Sequence, residues 1–259
     1  MTNLIEVSSL IKHFGGLAAV HDVSFNAEEG QIVSIIGPNG AGKTTLFNLI
    51  TNVFPPTSGK ILFRGRNISG MPSHRILALG IARTFQNIGL FREMTALENI
   101  MVGLHGISSY GFISSALRLP WMKRNEAVIR EKAQKAIERI HLEDKAHMLA
   151  ANLPYGDQKL LELGRAIAIN PFLLLVDEPG AGLNETEKEN LIQLILEVKK
   201  QGITVLLVEH DMGIVMRISN KVVVLNFGEK IAEGRPEEIS KNPEVIKAYL
   251  GEEQLYAEG

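Results

Sequence analysis

The 259-residue chain contains no cysteine, so disulfides and thiolate metal sites are excluded and a reducing compartment suits it. No run of apolar residues approaches the roughly 20 needed to span a bilayer. The longest uncharged stretch of interest, Gly106 to Leu117, is too short and too rich in Gly and Ser. The N-terminus MTNLIEVSSLIKHF lacks the basic region and long apolar run of a secretory signal. A formal net charge of −2 gives no global basic field for nucleic acid or an anionic membrane. Repeats and low-complexity segments are missing too. What remains is a chain that is 45% hydrophobic and 22% charged, enough to bury a substantial core, and it is expected to be soluble unless a partner holds it at a membrane.

Strand-like runs occur at IEVSSLI, QIVSIIG, KILFRG, FLLLVDE, ITVLLVEH and KVVVLNF. QIVSIIG, FLLLVDE and ITVLLVE are nearly continuous apolar runs, the pattern of strands buried on both faces of a parallel sheet. Helical periodicity separates them, as in KTTLFNLITNVF and ETEKENLIQLILEVKKQG. The second helix has acids in its first turn, Lys199 and Lys200 in its last and Gly202 as a stop. Alternating strands and helices predict an α/β sheet. From about Met94 to His147 no strong strand occurs. WMKRNEAVIREKAQKAIERIH places Ala127, Ile129, Ala133, Ala136, Ile137 and Ile140 at helical spacing, which predicts an inserted helical lobe; the alternative is helices packed on the sheet's flank.

GPNGAGKTT, Gly37 to Thr45, satisfies G-x-x-x-x-G-K-[ST] between an apolar strand and a helix. Gly37, Gly40 and Gly42 let the backbone wrap with its amides inward, and the helix start adds positive potential. Lys43 can reach the β and γ phosphates, and the Thr44 hydroxyl can ligate Mg²⁺. An N-K-x-D base-reading motif, expected of a GTPase, is absent from the sequence. FLLLVDE ends at Asp177 and Glu178. Asp177 would orient Mg²⁺ through its water shell, and Glu178, expected on the opposite strand face, can act as general base. His210 stands just past the carboxyl end of ITVLLVE, where α/β sheets build their sites. Gln86, in ARTFQN, can touch Mg²⁺ or the attacking water.

The succession of the phosphate loop, Gln86, the stretch NLPYGDQ, Asp177–Glu178 and His210 resembles the ATP-binding-cassette family, over nearly the whole chain. The resemblance implies a P-loop NTPase (RecA-like) α/β core with an N-terminal antiparallel β subdomain and an inserted α-helical subdomain. It further implies one domain over 1–259, divided as 1–93, 94–165 and 166–259. The cofactors would be ATP and Mg²⁺. ATP would be cradled by Gly37, Asn39, Gly40, Ala41, Gly42, Lys43, Thr44 and Thr45, with Phe14 stacked on adenine. Phe14 can also be read as a core aromatic. Mg²⁺ would be held by Thr44, Gln86 and Asp177, and Lys43, Gln86, Glu178 and His210 would serve catalysis. GAGLN, Gly180 to Asn184, takes the place of an S-A-L-D-like loop. Leu153, Pro154, Tyr155, Gly156, Asp157 and Gln158 fall where the family has its L-S-G-G-Q signature, which acts on the ATP of a facing second cassette. Pro154 replaces the signature serine, and Asp157 stands where glutamine is expected. Pro154 supplies neither hydroxyl nor N–H, so the signature reads as weakened; the alternative is that backbone amides suffice.

KHFGGLAAV, GIARTFQNIGLFREMTALENIMVG, DEPGAGLN and VIKAYLGEE look like the longer ATPase of branched-chain amino-acid importers. That likeness implies transmembrane permease subunits, a homo- or paralogous heterodimeric partner ATPase, a periplasmic or extracellular solute-binding protein acting indirectly, no nucleic acid, and a peripheral place on the cytoplasmic face. An ATPase of lipid or lipopolysaccharide export and a non-transport cassette remain as alternatives.

Overall fold

The structure, a computed structural model, describes residues 2–84, 89–105 and 120–249, with only the backbone course for 120–125. Gln86, the stretch from Gly106 to Leu117 and the end of the tail lie outside the described residues. Two sheets form. Strands β1 (Asn3–Phe14), β2 (Leu17–Glu28), β4 (Ser58–Phe63) and β5 (Arg66–Asn67) make an antiparallel sheet in the order β2-β1-β4-β5. The larger sheet runs β10-β9-β3-β8-β7-β6. Its members are β3 (Ile32–Ile36), β6 (Ile81–Arg83), β7 (Leu173–Asp177), β8 (Thr204–Val208), β9 (Lys221–Asn226) and β10 (Glu229–Gly234). All its pairings are parallel except that of the edge strand β10.

The continuous apolar runs are explained by burial on both faces. Along β7, Leu173 and Leu175 join one core cluster while Leu174 and Val176 join another. Along β8, Val205 and Leu207 go to the second cluster, Leu206 and Val208 to the first. One cluster lies between the two sheets around helix α1 (Lys43–Ile50), whose Phe47 is fully buried. The other spreads over the opposite face to α3 (Ala96–His105), α4 (Pro120–Arg139), α5 (Tyr155–Ile167) and α6 (Glu185–Lys200).

The helical stretch therefore does not bury its apolar stripe alone. Ala133, Ala136, Ile137 and Ile140 of the predicted stripe are buried in a core continuous with Leu174 and Val176 of the sheet. Ala127 is exposed, because the stripe reaches the core only from Ile129 onward. Helix α6 starts in a capping box: Asn184 accepts from the Glu187 N–H (3.0 Å) and Glu187 accepts from the Asn184 N–H (2.9 Å). Two further short helices matter below: α2 (Ser73–Ala78) and α7 (Met212–Ile218). No helix among the described residues is long and apolar enough to cross a membrane.

Candidate nucleotide site

The loop between β3 and α1 sets the floor of a cleft of about 530 Å³. Asn39, Gly40, Ala41, Gly42, Lys43, Thr44 and Thr45 line it, together with Phe14, Leu17, Ala18, Ala19, Glu178, Phe227 and Gly228. Glycine is required at 37 and 42 for two reasons. Both have positive φ (150° and 97°), and a Cβ at Gly42 would sit 2.5 Å from the Ala19 carbonyl oxygen, while one at Gly37 would collide with that of Leu225. Lys43 is buried, and its ammonium donates to the carbonyls of Gly37 (2.7 Å) and Pro38 (2.9 Å). That curls the side chain over its own loop, at the start of α1, where backbone N–H groups have no helical acceptor.

Phe14 is half exposed at the cleft rather than a core aromatic. Phe54 meets it edge-on with ring centroids 5.2 Å apart, and the Lys12 ammonium lies 5.1 Å from its centre. These contacts pack against the ring and leave about half of it exposed at the cleft.

Asp177 and Glu178 part company at the end of β7. Asp177 is buried and its Oδ2 accepts from Arg83 at 2.9 Å. Its Oδ1 is buried with no hydrogen-bond partner. Burial pushes the Asp177 carboxyl above its ordinary value, and the bond and charge of Arg83 pull it partly back. The expectation that strand alternation sends Glu178 to the opposite face needs correcting. Glu178 lies past the strand with φ 46°, and this left-handed turn delivers it to the cleft.

Arg83, at the end of β6, also donates to Asn48 (2.6 Å) and Thr51 (3.2 Å). It ties the acidic strand end to α1, a role absent from the sequence reading. So is that of Glu209. Fully buried, Glu209 accepts from the Gly180 N–H (2.7 Å), the His210 N–H (3.0 Å) and the Asp211 N–H (3.3 Å). It thus ties the turn after Glu178 to the turn bearing His210. The signal was present, since ITVLLVE ends on an acid just as FLLLVDE does. His210 itself is exposed and stands outside the cleft lining.

The stretch 153–158 is also outside that lining. Leu153 is buried, and Pro154 is the exposed N-cap of α5 with no side-chain cap hydrogen bond. Tyr155 packs against Gly182, and a Cβ on Gly156 would collide with Glu187. Gln158 donates its side-chain amide to the Leu153 carbonyl at 2.8 Å. The Asp157 carboxylate, in the first turn of α5, is matched by the Lys145 ammonium. The stretch thus packs on the 180–187 segment of its own chain and turns the start of α5 to the surface.

The family model described as ABC transporter matches residues 20–181. The chain belongs to the ABC transporter family. A second model, described as branched-chain amino acid ATP-binding cassette transporter, matches residues 229–254. The chain is 46% identical over 250 residues to BraF of Pseudomonas aeruginosa, a "high-affinity branched-chain amino acid transport ATP-binding protein", covering 96% of this chain and 98% of that one. Among solved structures, an ATP-binding cassette of an ABC transporter in its ADP conformation is 32% identical, with a TM-score of 0.85 over 97% of this chain and 100% of that one. A dimeric cassette in a post-hydrolysis state, bound to ADP and Pi, is 25% identical with a TM-score of 0.76 over 90% and 98%. The chain is accordingly an ATP-binding, ATP-hydrolysing cassette on a P-loop α/β scaffold.

Proposed function

We propose that the chain is the ATPase subunit that drives a membrane importer of branched-chain amino acids, held by its permease at the cytoplasmic face of the membrane. The observation that carries this reading is near-full-length similarity to BraF together with the branched-chain match at 229–254.

In this reading the phosphates lie on the amides of residues 40–45 at the start of α1, with Lys43 redirected from the Gly37 and Pro38 carbonyls onto them. Phe14 takes the adenine. Glu178 accepts a proton from the attacking water as the water oxygen bonds the γ phosphorus and ADP departs; the family resemblance assigns Gln86, and His210 from its exposed place outside the cleft lining, to the same phosphoryl group or its water. The site suits Mg²⁺. The unpartnered Oδ1 of Asp177 and the Thr44 hydroxyl are hard oxygen donors, and the described residues offer no cluster of three or more His, Asp or Glu. Few protein ligands are what a cation held mostly by phosphates and water needs, and when bound it would neutralise phosphate charge.

The signature at 153–158 would serve the ATP of a facing cassette, an arrangement supported by the dimeric relative. We further read residues 1–93, 94–165 and 166–259 as the β-and-phosphate-loop part, the helical lobe and the second core part. A second cleft of about 310 Å³ lies between α2, the end of α1 and α5. Val53, Ile76, Leu77 and Ile169 give it apolar walls, with Arg83 and Arg165 beside them, and it suits a helix of the permease.

The test is leucine uptake by cells expressing the chain with its permease and solute-binding protein, compared with the Glu178→Gln chain. Uptake that depends on Glu178 supports the reading. A Glu178-dependent ATPase whose loss leaves branched-chain uptake untouched overturns it.

A further inference from the structure

Phe227 is 83% exposed, the most exposed large apolar side chain among the described residues, and it lines the nucleotide cleft. It stands in the two-residue hairpin between β9 and β10, where Asn226 pairs with Glu229. Both central residues have positive φ, 45° at Phe227 and 83° at Gly228. That is the type I′ arrangement, which favours Asn-Gly and disfavours a bulky side chain at its first central position. The hairpin therefore carries an aromatic ring that its backbone opposes and that no packing rewards. A left-handed non-glycine residue with an exposed ring points to use rather than to fold.

The surroundings say what the use is. The hairpin is fastened to the cleft from both sides: His21 N–H donates to the Gly228 carbonyl (2.8 Å), and Gly228 N–H donates to the Ala41 carbonyl of the phosphate loop (3.1 Å). Phe227 is thus held in register with the loop while its ring stays free of the fold. The cleft divides chemically. Its floor is backbone amides, suited to phosphates, and its rim is Phe14, Leu17, Ala18 and Phe227. An aromatic rim suits the flat faces of a base and the carbons of a ribose.

We propose that Phe227 is a nucleotide-contacting residue that supplies a second aromatic wall against the nucleoside half of ATP. Phe14 is the first wall, at the end of β1. The proposal deepens the ATP reading of this cleft and rests on it.

The test compares Phe227→Asn, which suits the turn, with Phe227→Trp, which keeps a ring. Both are made on the Glu178→Gln chain, so that ATP is bound without turnover. Calorimetric titrations with ATP and with inorganic tripolyphosphate are run alongside thermal melts. Loss of one base–aromatic contact should raise the ATP Kd of the Asn variant about five- to 150-fold, with Trp within about threefold of the parent. Tripolyphosphate affinity should not change, and the Asn variant should melt no lower than its parent. An ATP Kd unchanged by Asn overturns the proposal, as does equal weakening toward tripolyphosphate, which would mean action through the phosphate loop. Unchanged ATP affinity with lost ATP-driven dimerisation also overturns it and assigns the ring to a facing chain. A parent chain that binds neither ligand, and is indifferent to Lys43→Ala, removes the nucleotide reading itself.

Discussion

Pro154 is a position where this chain departs from the family pattern by lacking the hydroxyl that the resemblance assigns to the signature. It is the N-cap of α5 with φ −52° and ψ 152°, the extended geometry in which serine caps a helix. Only its carbonyl is engaged, accepting from the Gln158 N–H at 3.0 Å. In Pro154→Ser the new hydroxyl would accept from an N–H of the first turn and still donate its proton outward, to the γ-phosphate of a facing cassette. A hydrogen bond to a charged group is worth about 1.5–3 kcal/mol, so turnover should rise roughly ten- to a hundredfold. Stability should barely move. A new cap adds about 1 kcal/mol, and losing proline's restriction of the unfolded chain removes about 0.4–1 kcal/mol. The assay is steady-state ATP hydrolysis by the purified chain across a range of protein concentrations, because the proposed site takes its signature from a second, facing chain. Pro154→Ala separates hydroxyl from ring and should stay near the parent rate. A serine variant within about twofold of the parent, far below the gain expected from a charge-assisted bond, would refute the argument. An alanine variant that rises equally would show that the ring, not the missing hydroxyl, was limiting.

Two further outcomes follow from contacts away from the phosphate loop. Glu209→Gln places an amide donor against at least one of the Gly180, His210 and Asp211 N–H groups, and urea unfolding should show a loss of about 2–3 kcal/mol. ATP affinity should hold, because none of these residues lines the cleft; wild-type stability would contradict the assignment. Asp211 caps α7 through Gly213 (2.8 Å) and Ile214 (3.3 Å) and pairs with Lys188 (2.8 Å), so Asp211→Ala should cost about 1–2 kcal/mol at pH 7. The Lys188 hydrogen bond holds the Asp211 carboxyl below its ordinary value. Its stabilisation is therefore complete above the unfolded value, about pH 3.9, and lost as pH falls through the folded one. Stabilities of parent and variant should converge as pH falls below the unfolded value and through the lowered folded one, and a gap undiminished by acidification would place the effect outside the charge.

The phosphate loop and two of the internal strands, β7 and β8, were legible because each is written locally. Gly-spacing around Lys43 fixes a backbone path, and five consecutive buried positions in β7 and β8 leave no polar alternative. What was missed is non-local or only half buried. In β2, LAAVHDVSFNAE mixes exposed polar and buried apolar positions, and β10 has no fully buried residue, so neither reads as an apolar run. Arg83 and Asp177 are 94 positions apart, and only the pairing of β6 with β7 makes them neighbours. Phe14 and His210 were placed by chain order, and their surroundings come only from the fold: a half-exposed ring at the cleft for one, an exposed side chain outside it for the other.

The strand order explains why so few side chains can hold the site together. β8, β7 and β6 lie side by side, and each delivers one acid or base at its carboxyl end: Glu209, Asp177 and Arg83. Arg83 joins β6 to β7 and to α1, and Glu209 joins the turn after β7 to the turn after β8. The two links meet at Asp177–Glu178, whose backbone must leave the strand in a left-handed turn to carry Glu178 to the cleft. Breaking one partner of a buried ion pair leaves the other charge uncompensated, at a cost of about 3–5 kcal/mol. A change at Arg83 or Glu209 therefore reaches Glu178 through the sheet edge without touching the phosphate loop. Turnover should be more sensitive than ATP affinity to substitutions along this edge, and affinity more sensitive than turnover to substitutions on the aromatic rim.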